Sequence, residues 1–144
     1  MIYKKILCNI KNNIAVVMHN RPDFMNALNT QIWAEITHAV RESGKIACVI
    51  ALTGVACAFC LGQDLGAGAN PADIDLKRTL KDEYMPMSEA ITTCRIPTIA
   101  SVNGPAAGAG DNLAPAADVV IGPESTYLLQ ALTRLGLISD VGGT

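Results

Sequence analysis

The sequence predicts an α/β fold in which helices pack on a largely parallel sheet. Three observations carry this. Continuous apolar runs at residues 47–52, 96–102 and 118–122 have the length and character of strands buried on both faces. Between and before them, apolar residues recur at helical spacing, most clearly Leu28, Ile32, Ile36 and Val40. Hydrophobic residues make up 50% of the 144 residues and charged residues 17%, a balance that buries a core rather than leaving the chain unfolded.

The elements follow in order. Residues 3–8 and 14–18 read as two strands joined by a polar turn at Lys11-Asn12-Asn13. Arg21-Pro22-Asp23 is a turn or loop. Asn29 and Thr30 are helix caps, and the helix they open runs to about Ser43, with Trp33 beside its apolar face and Gly44 as the stop. Residues 47–52 form a buried parallel strand. Residues 54–70, rich in Gly and Ala, form a loop. Pro71 opens a mostly polar helical stretch toward Cys94 with Leu76, Leu80, Tyr84 and Met87 on one side, and Pro86 should kink or divide it. Residues 96–102 are the next strand. A helix after Gly104 ends near Ala117, with Pro115 an awkward guest. Residues 118–122 and 126–129 read as strands and residues 131–135 as a short helix. There is no internal repeat and no low-complexity segment.

Composition excludes several functions. A formal net charge of −2 without a basic run gives no support for nucleic-acid binding. No apolar stretch reaches transmembrane length and the N-terminus lacks a signal-peptide core, so the expected location is cytoplasmic. The cysteines are Cys8, Cys48, Cys57, Cys60 and Cys94, an odd count with irregular spacing that argues against a disulfide framework. Cys57-Ala58-Phe59-Cys60 matches C-x-x-C, but no second pair follows and His19 and His38 are remote in sequence. These thiols read as small buried hydrophobes, with no metal implied.

Two segments carry the chemistry. Residues 102–114 follow an apolar strand, are rich in Gly and Ala, and open a helix, so backbone N–H groups should converge there. The stretch lacks G-x-G-x-x-G in frame and G-x-x-x-x-G-K-[ST], which weakens nucleotide-binding readings; a small-residue helix packed tightly on a sheet is the plain alternative. Residues 52–65 also follow a buried strand and also end in a glycine-containing turn. Two strand ends, each presenting an N–H, can hold one oxygen between them.

These segments resemble the crotonase (enoyl-CoA hydratase/isomerase) superfamily over nearly the whole chain. Asn20-Arg21-Pro22-Asp23 with Asn26-Ala27-Leu28-Asn29 looks like the family's first block, residues 54–65 like the second, residues 103–114 like the third and residues 136–144 like the fourth. The resemblance implies a crotonase-like ββα spiral core, an acyl-CoA thioester as substrate, coenzyme A as part of that substrate with no separate cofactor, and a trimeric or hexameric homo-oligomer. It implies that the thioester oxygen accepts hydrogen bonds from the backbone N–H groups of Gln63 and Ala109. It also assigns substrate contacts to Met25, Ala27, Cys60, Gly62, Asp64 and Leu65, and to Pro105, Gly108, Asn112 and Leu132. Family members are considerably longer. Residues 1–144 are therefore expected to be the N-terminal part of the spiral domain, a fragment or a truncated gene product without the C-terminal helices that complete the CoA pocket and the trimer contacts. Self-association is expected to cover the faces left bare.

The sequence departs from the hydratase pattern. The two glutamates that hydratases of the family use to handle water fall at Asn112 and near Leu132, and neither is a carboxylate; Glu124 sits elsewhere in the motif. Asp140 matches the acidic residue that some family isomerases use to move a proton, although the plain reading is a turn or cap residue ahead of Gly142-Gly143. The pattern around residues 59–65 and 106–110 looks most like the 1,2-epoxyphenylacetyl-CoA isomerases of phenylacetate breakdown. Isomerisation needs one base that takes a proton beside the carbonyl and returns it elsewhere, and a carboxylate in an apolar pocket suits that task. Asp111 and Asp64 are lesser candidates. His19 and His38 read as structural or surface residues, and Trp33 and Tyr127 as packing. The expected function is thus thioester isomerisation with Asp140 as base. A hydratase with non-standard water handling and a silent CoA-binding or assembly fragment are the alternatives.

Overall fold

The fold starts from a two-residue turn. In the computed structural model, which describes residues 2–64, 66 and 75–130, Asn12 and Asn13 both adopt positive φ (51° and 62°). That is the backbone of a tight hairpin turn, and asparagine tolerates it. The turn fixes the register of β1 (Ile6–Lys11) against β2 (Ile14–His19), from Lys11↔Ile14 back to Ile6↔His19. The first strand therefore lies later than residues 3–8. Ahead of it, the N–H groups of Lys4 and Lys5 donate to the Glu35 carboxylate (2.9 and 2.7 Å), which ties that stretch to the first helix rather than to the sheet.

The helix α1 (Thr30–Ser43) begins where the sequence places it, because the Asn29 side chain accepts from the N–H of Ile32 at 3.0 Å. It buries Ile32, Trp33, Ile36, Ala39 and Val40. Gly44 closes it in a right-handed conformation (φ −61°). The strand β3 (Val49–Gly54) pairs in parallel with β2 and starts two residues later than the apolar run, since the N–H groups of Ala47 and Cys48 go instead to the carbonyls of Ser43 and Asn13.

The second helical stretch is not one helix. It consists of α2 (Leu76–Thr79), a π-helical turn (Leu80–Tyr84) and α3 (Met85–Thr92). Pro86 accounts for the division. It has no N–H to donate and its ring crowds the carbonyl four residues back, so the turn widens and the Met85 N–H reaches Leu80. The extra residue rotates the apolar face: Tyr84 and Met87 are buried, as expected, but Leu80 is exposed.

Strands β4 (Thr98–Ser101) and β6 (Val119–Ile121) continue the sheet in parallel, giving the order β1-β2-β3-β4-β6 with only β1 antiparallel. Between them, the helix expected after Gly104 and ending near Ala117 is much shorter than expected. Residues Ala106–Ala107 form β5, which pairs in parallel with β7 (Leu128–Leu129), and only Ala109–Leu113 are helical (α4). The carbonyl groups of Tyr127 and Leu129 take the N–H groups of Ala106 and Gly108, which holds this stretch extended until the helix can start. The core lies between the sheet and α1 with α3. It is filled by Ala15, Val17, Ile50, Leu52 and Ala100 from the strands, and by Ile36, Val40, Met87 and Ile91 from the helices. No helix among the described residues is long and apolar enough to cross a membrane.

Candidate active site

Each parallel strand of the main sheet is followed by a short extended segment, and these segments lie side by side in a second, smaller layer. Leu28 pairs with Gln63, Cys60 pairs with Ala106, and β5 pairs with β7. Four stretches distant in sequence thus meet in one place; three of them belong to the blocks at residues 20–29, 54–65 and 103–114 that the sequence singles out, the fourth is β7, and the block at residues 136–144 lies outside the described residues.

Close packing explains why they are built from small residues. A Cβ on Gly110 would lie 2.1 Å from the Cys60 carbonyl oxygen, so only glycine lets α4 lie against residues 60–62. Gly62 has φ +87°, and a Cβ there would come within 2.8 Å of the Ala107 oxygen and 3.2 Å of the Ala109 nitrogen. The turn after Gly62 and the turn after Gly108 (φ +54°) are therefore in contact.

Among the described residues, the hydrogen bonding leaves an N–H group over on each of these turns. The Leu28 N–H donates to Gly62 and the Asp64 N–H donates to Leu28, both at 2.7 Å; in such a parallel bridge the N–H of Gln63 faces away from Leu28. Ala109 is the first residue of α4, where an N–H has no partner within the helix. Among the described residues, neither the Gln63 nor the Ala109 N–H has an acceptor. Two unpaired donors on touching turns suit an oxygen that gains negative charge.

Other residues singled out by the sequence surround this point. Met25 is part-exposed in a left-handed conformation (φ 50°), and the Ala27 carbonyl accepts from Arg21. Pro105 accepts the N–H groups of Phe59 and Cys60. Cys60 is buried and burial pushes its thiol up to about 12, so it stays protonated. Cys57, its partner in C-x-x-C, is exposed. Among the described residues no group of three or more His, Cys, Asp or Glu could hold a metal ion. The Arg21 guanidinium beside Asp64, at 2.7 Å, and the Gly66 N–H hold its carboxyl below the usual range, which fixes the loop. Asn112 is 3% exposed and accepts from Gln130 at 2.6 Å. Burial pushes the neighbouring Asp111 carboxyl up, and a hydrogen bond with Gln130 opposes this. Leu65, Leu132 and Asp140 lie outside the described residues.

Sequence reasoning missed the pins of the site. Asn26 is fully buried. Its amide donates to the carbonyls of Val55 and Ala58, and its oxygen accepts the Arg21 N–H. Asn103 holds the same loop from the other side, through Thr53, Gly54 and Ala56. An asparagine at a turn was the available signal, but its partners are set by the fold. Trp33 does pack, as expected, and it also donates Nε1–H to the Gln63 side chain.

This two-layer spiral defines the class of protein. It has the crotonase-like fold: the crystal structure of an enoyl-CoA hydratase from Polaromonas sp. JS666 matches it with a TM-score of 0.88 at 27% identity, over 96% of this chain and 55% of that one. The chain belongs to the enoyl-CoA hydratase/isomerase family, whose sequence profile matches residues 9–144. A probable enoyl-CoA hydratase of Rhodobacter capsulatus is 48% identical over 144 residues, covering 100% of this chain and 56% of the relative. The 1,2-epoxyphenylacetyl-CoA isomerase of Escherichia coli is 34% identical over 96% of this chain and 55% of its own length. The chain spans about half the length of the curated relatives it matches.

Proposed function

We propose that this chain binds an acyl-CoA thioester and isomerises its acyl group through an enolate. The Gln63 and Ala109 N–H groups hold the thioester oxygen, and Asp140 moves the proton. Asp140 takes a proton from carbon activated by the carbonyl, the electron pair moves onto the thioester oxygen, and the proton returns to a different carbon. Each preorganised donor supplies about 3 to 4 kcal/mol at such an oxyanion. The observation that carries this reading is the pair of N–H groups, without an acceptor among the described residues, on turns that touch through Gly62. Asn112, where hydratases of the family carry a glutamate, cannot act as a general base, which favours proton transfer over addition of water.

The test is proton exchange into an acyl-CoA thioester in D2O, followed by mass spectrometry. Exchange at the activated carbon is expected, with a loss of at least about a hundredfold in Asp140→Asn. Absence of exchange in the wild-type chain, or full exchange in Asp140→Asn, overturns the assignment. Hydration is the second reading, favoured by the name of the Rhodobacter capsulatus relative. Sustained hydration of crotonyl-CoA would select it.

A further inference from the structure

The side chain of Gln63 has no part in a contact made through its backbone, yet two buried side chains hold it. Its Oε1 accepts two hydrogen bonds of 3.0 Å, one from Trp33 Nε1–H on α1 and one from the Tyr84 hydroxyl at the end of the π turn. Both rings are buried, at 1% and 5% exposure, and they stack on each other with centroids 4.1 Å apart and planes at 28°. Two donors from separate helical segments thus converge on one oxygen and use both of its lone pairs. On the backbone, the groups flanking Gln63 are tied to Leu28.

We propose that Trp33 and Tyr84 are positioning residues that, through the Gln63 side chain, fix the direction of the Gln63 N–H toward a thioester oxygen. This rests on the reading of that N–H as one of the two donors. A donor to a developing oxyanion must sit within a narrow range of distance and angle, and small displacements cost rate and affinity steeply. Gly62, with φ +87°, precedes the donor and has no side chain of its own to hold the turn. The clamp adds a side-chain anchor to the backbone bonds that tie the turn to Leu28. It also makes Trp33, the one tryptophan of the chain, a reporter of what the donor holds.

A purely structural role would be to satisfy the buried indole and phenol. The experiment therefore compares two ligands by calorimetry on the full 144-residue chain: a saturated acyl-CoA thioester, and the thioether of equal length in which CH2 replaces the carbonyl. Only the thioester can use the donors. The wild-type chain is expected to prefer the thioester and to change its tryptophan emission with that ligand only. Tyr84→Phe keeps the stacked ring and should narrow the preference about fivefold; Gln63→Leu keeps the backbone donor and should narrow it about tenfold or more, with thioether affinity unchanged in both. If Gln63→Leu does not fold, Tyr84→Phe carries the test. Variants that keep the wild-type preference, or that weaken both ligands equally, overturn the clamp and leave the donor reading standing. A wild-type chain without a thioester preference overturns the donor reading, and the clamp with it.

Discussion

Gly110 lies so close to Cys60 that an added methyl group would sit 2.1 Å from a backbone oxygen, which has no flexible end to move aside. Gly110→Ala should therefore cost about 3 kcal/mol or more, read as a lowered denaturant midpoint; an unchanged midpoint would show that α4 can shift freely. His19 makes a different demand. Its Nδ1–H donates to the Phe59 carbonyl at 3.1 Å, and its buried Nε2 has no partner among the described residues, so the ring is neutral. Burial lowers its pKa to about 4, against an opposing contribution from the Phe59 carbonyl. The unfolded chain, with a histidine near 6.5, takes up a proton first as pH falls. The contribution of His19 to stability is thus complete above pH 6.5 and is lost between there and pH 4, by roughly 3 kcal/mol. Unfolding midpoints at pH 7 and pH 4.5 should differ less in His19→Leu than in wild type. The sequence marked His19 as structural or surface; it is fully buried, and its packing against Phe59 has no local signature.

At the scale of elements, α1 was legible because cap, apolar spacing and length agree with one another. Asn29→Ala should remove the bond to the Ile32 N–H and lower stability by about 1 kcal/mol, seen by thermal melting. The strands were legible as apolar runs, but their ends were not, since those depend on competition for N–H groups. Glu35 draws Lys4 and Lys5 off β1, and Ser43 draws Ala47 off β3. The stretch after Gly104 misled for the same reason. Small residues suit a short helix, but pairing with β7 keeps Ala106 and Ala107 extended, a contact about 20 residues away. Pro86 was read correctly as an interruption; a proline marks where a helix is disturbed but not that the disturbance takes the form of a π turn.

At the scale of the whole molecule, the proposed donors leave a trace in the sequence that their supports do not. Both proposed donors are backbone groups, and what the backbone demands, positive φ and close approach, appears in sequence as glycine at 62, 108 and 110. The Gln63 clamp joins partners 30 and 21 residues away with no periodicity to betray them. The same architecture carries a surface that does not suit an isolated chain. Among the described residues β6 is the last strand of the main sheet, and Val119, Val120 and Ile121 on it are 49%, 43% and 52% exposed. Tyr127, Leu128 and Leu129, on the smaller layer, are exposed as well. A sheet edge offers unpaired backbone groups beside this apolar surface, and a second copy offers the same in return. The chain should therefore run in light scattering above the monomer mass of 15.1 kDa. Replacing Val119 and Ile121, which lie on one face of the strand, with lysine should shift it toward the monomer without lowering the thermal midpoint, because neither side chain is in the core. A monodisperse monomer in the wild type would show instead that this edge is satisfied by water.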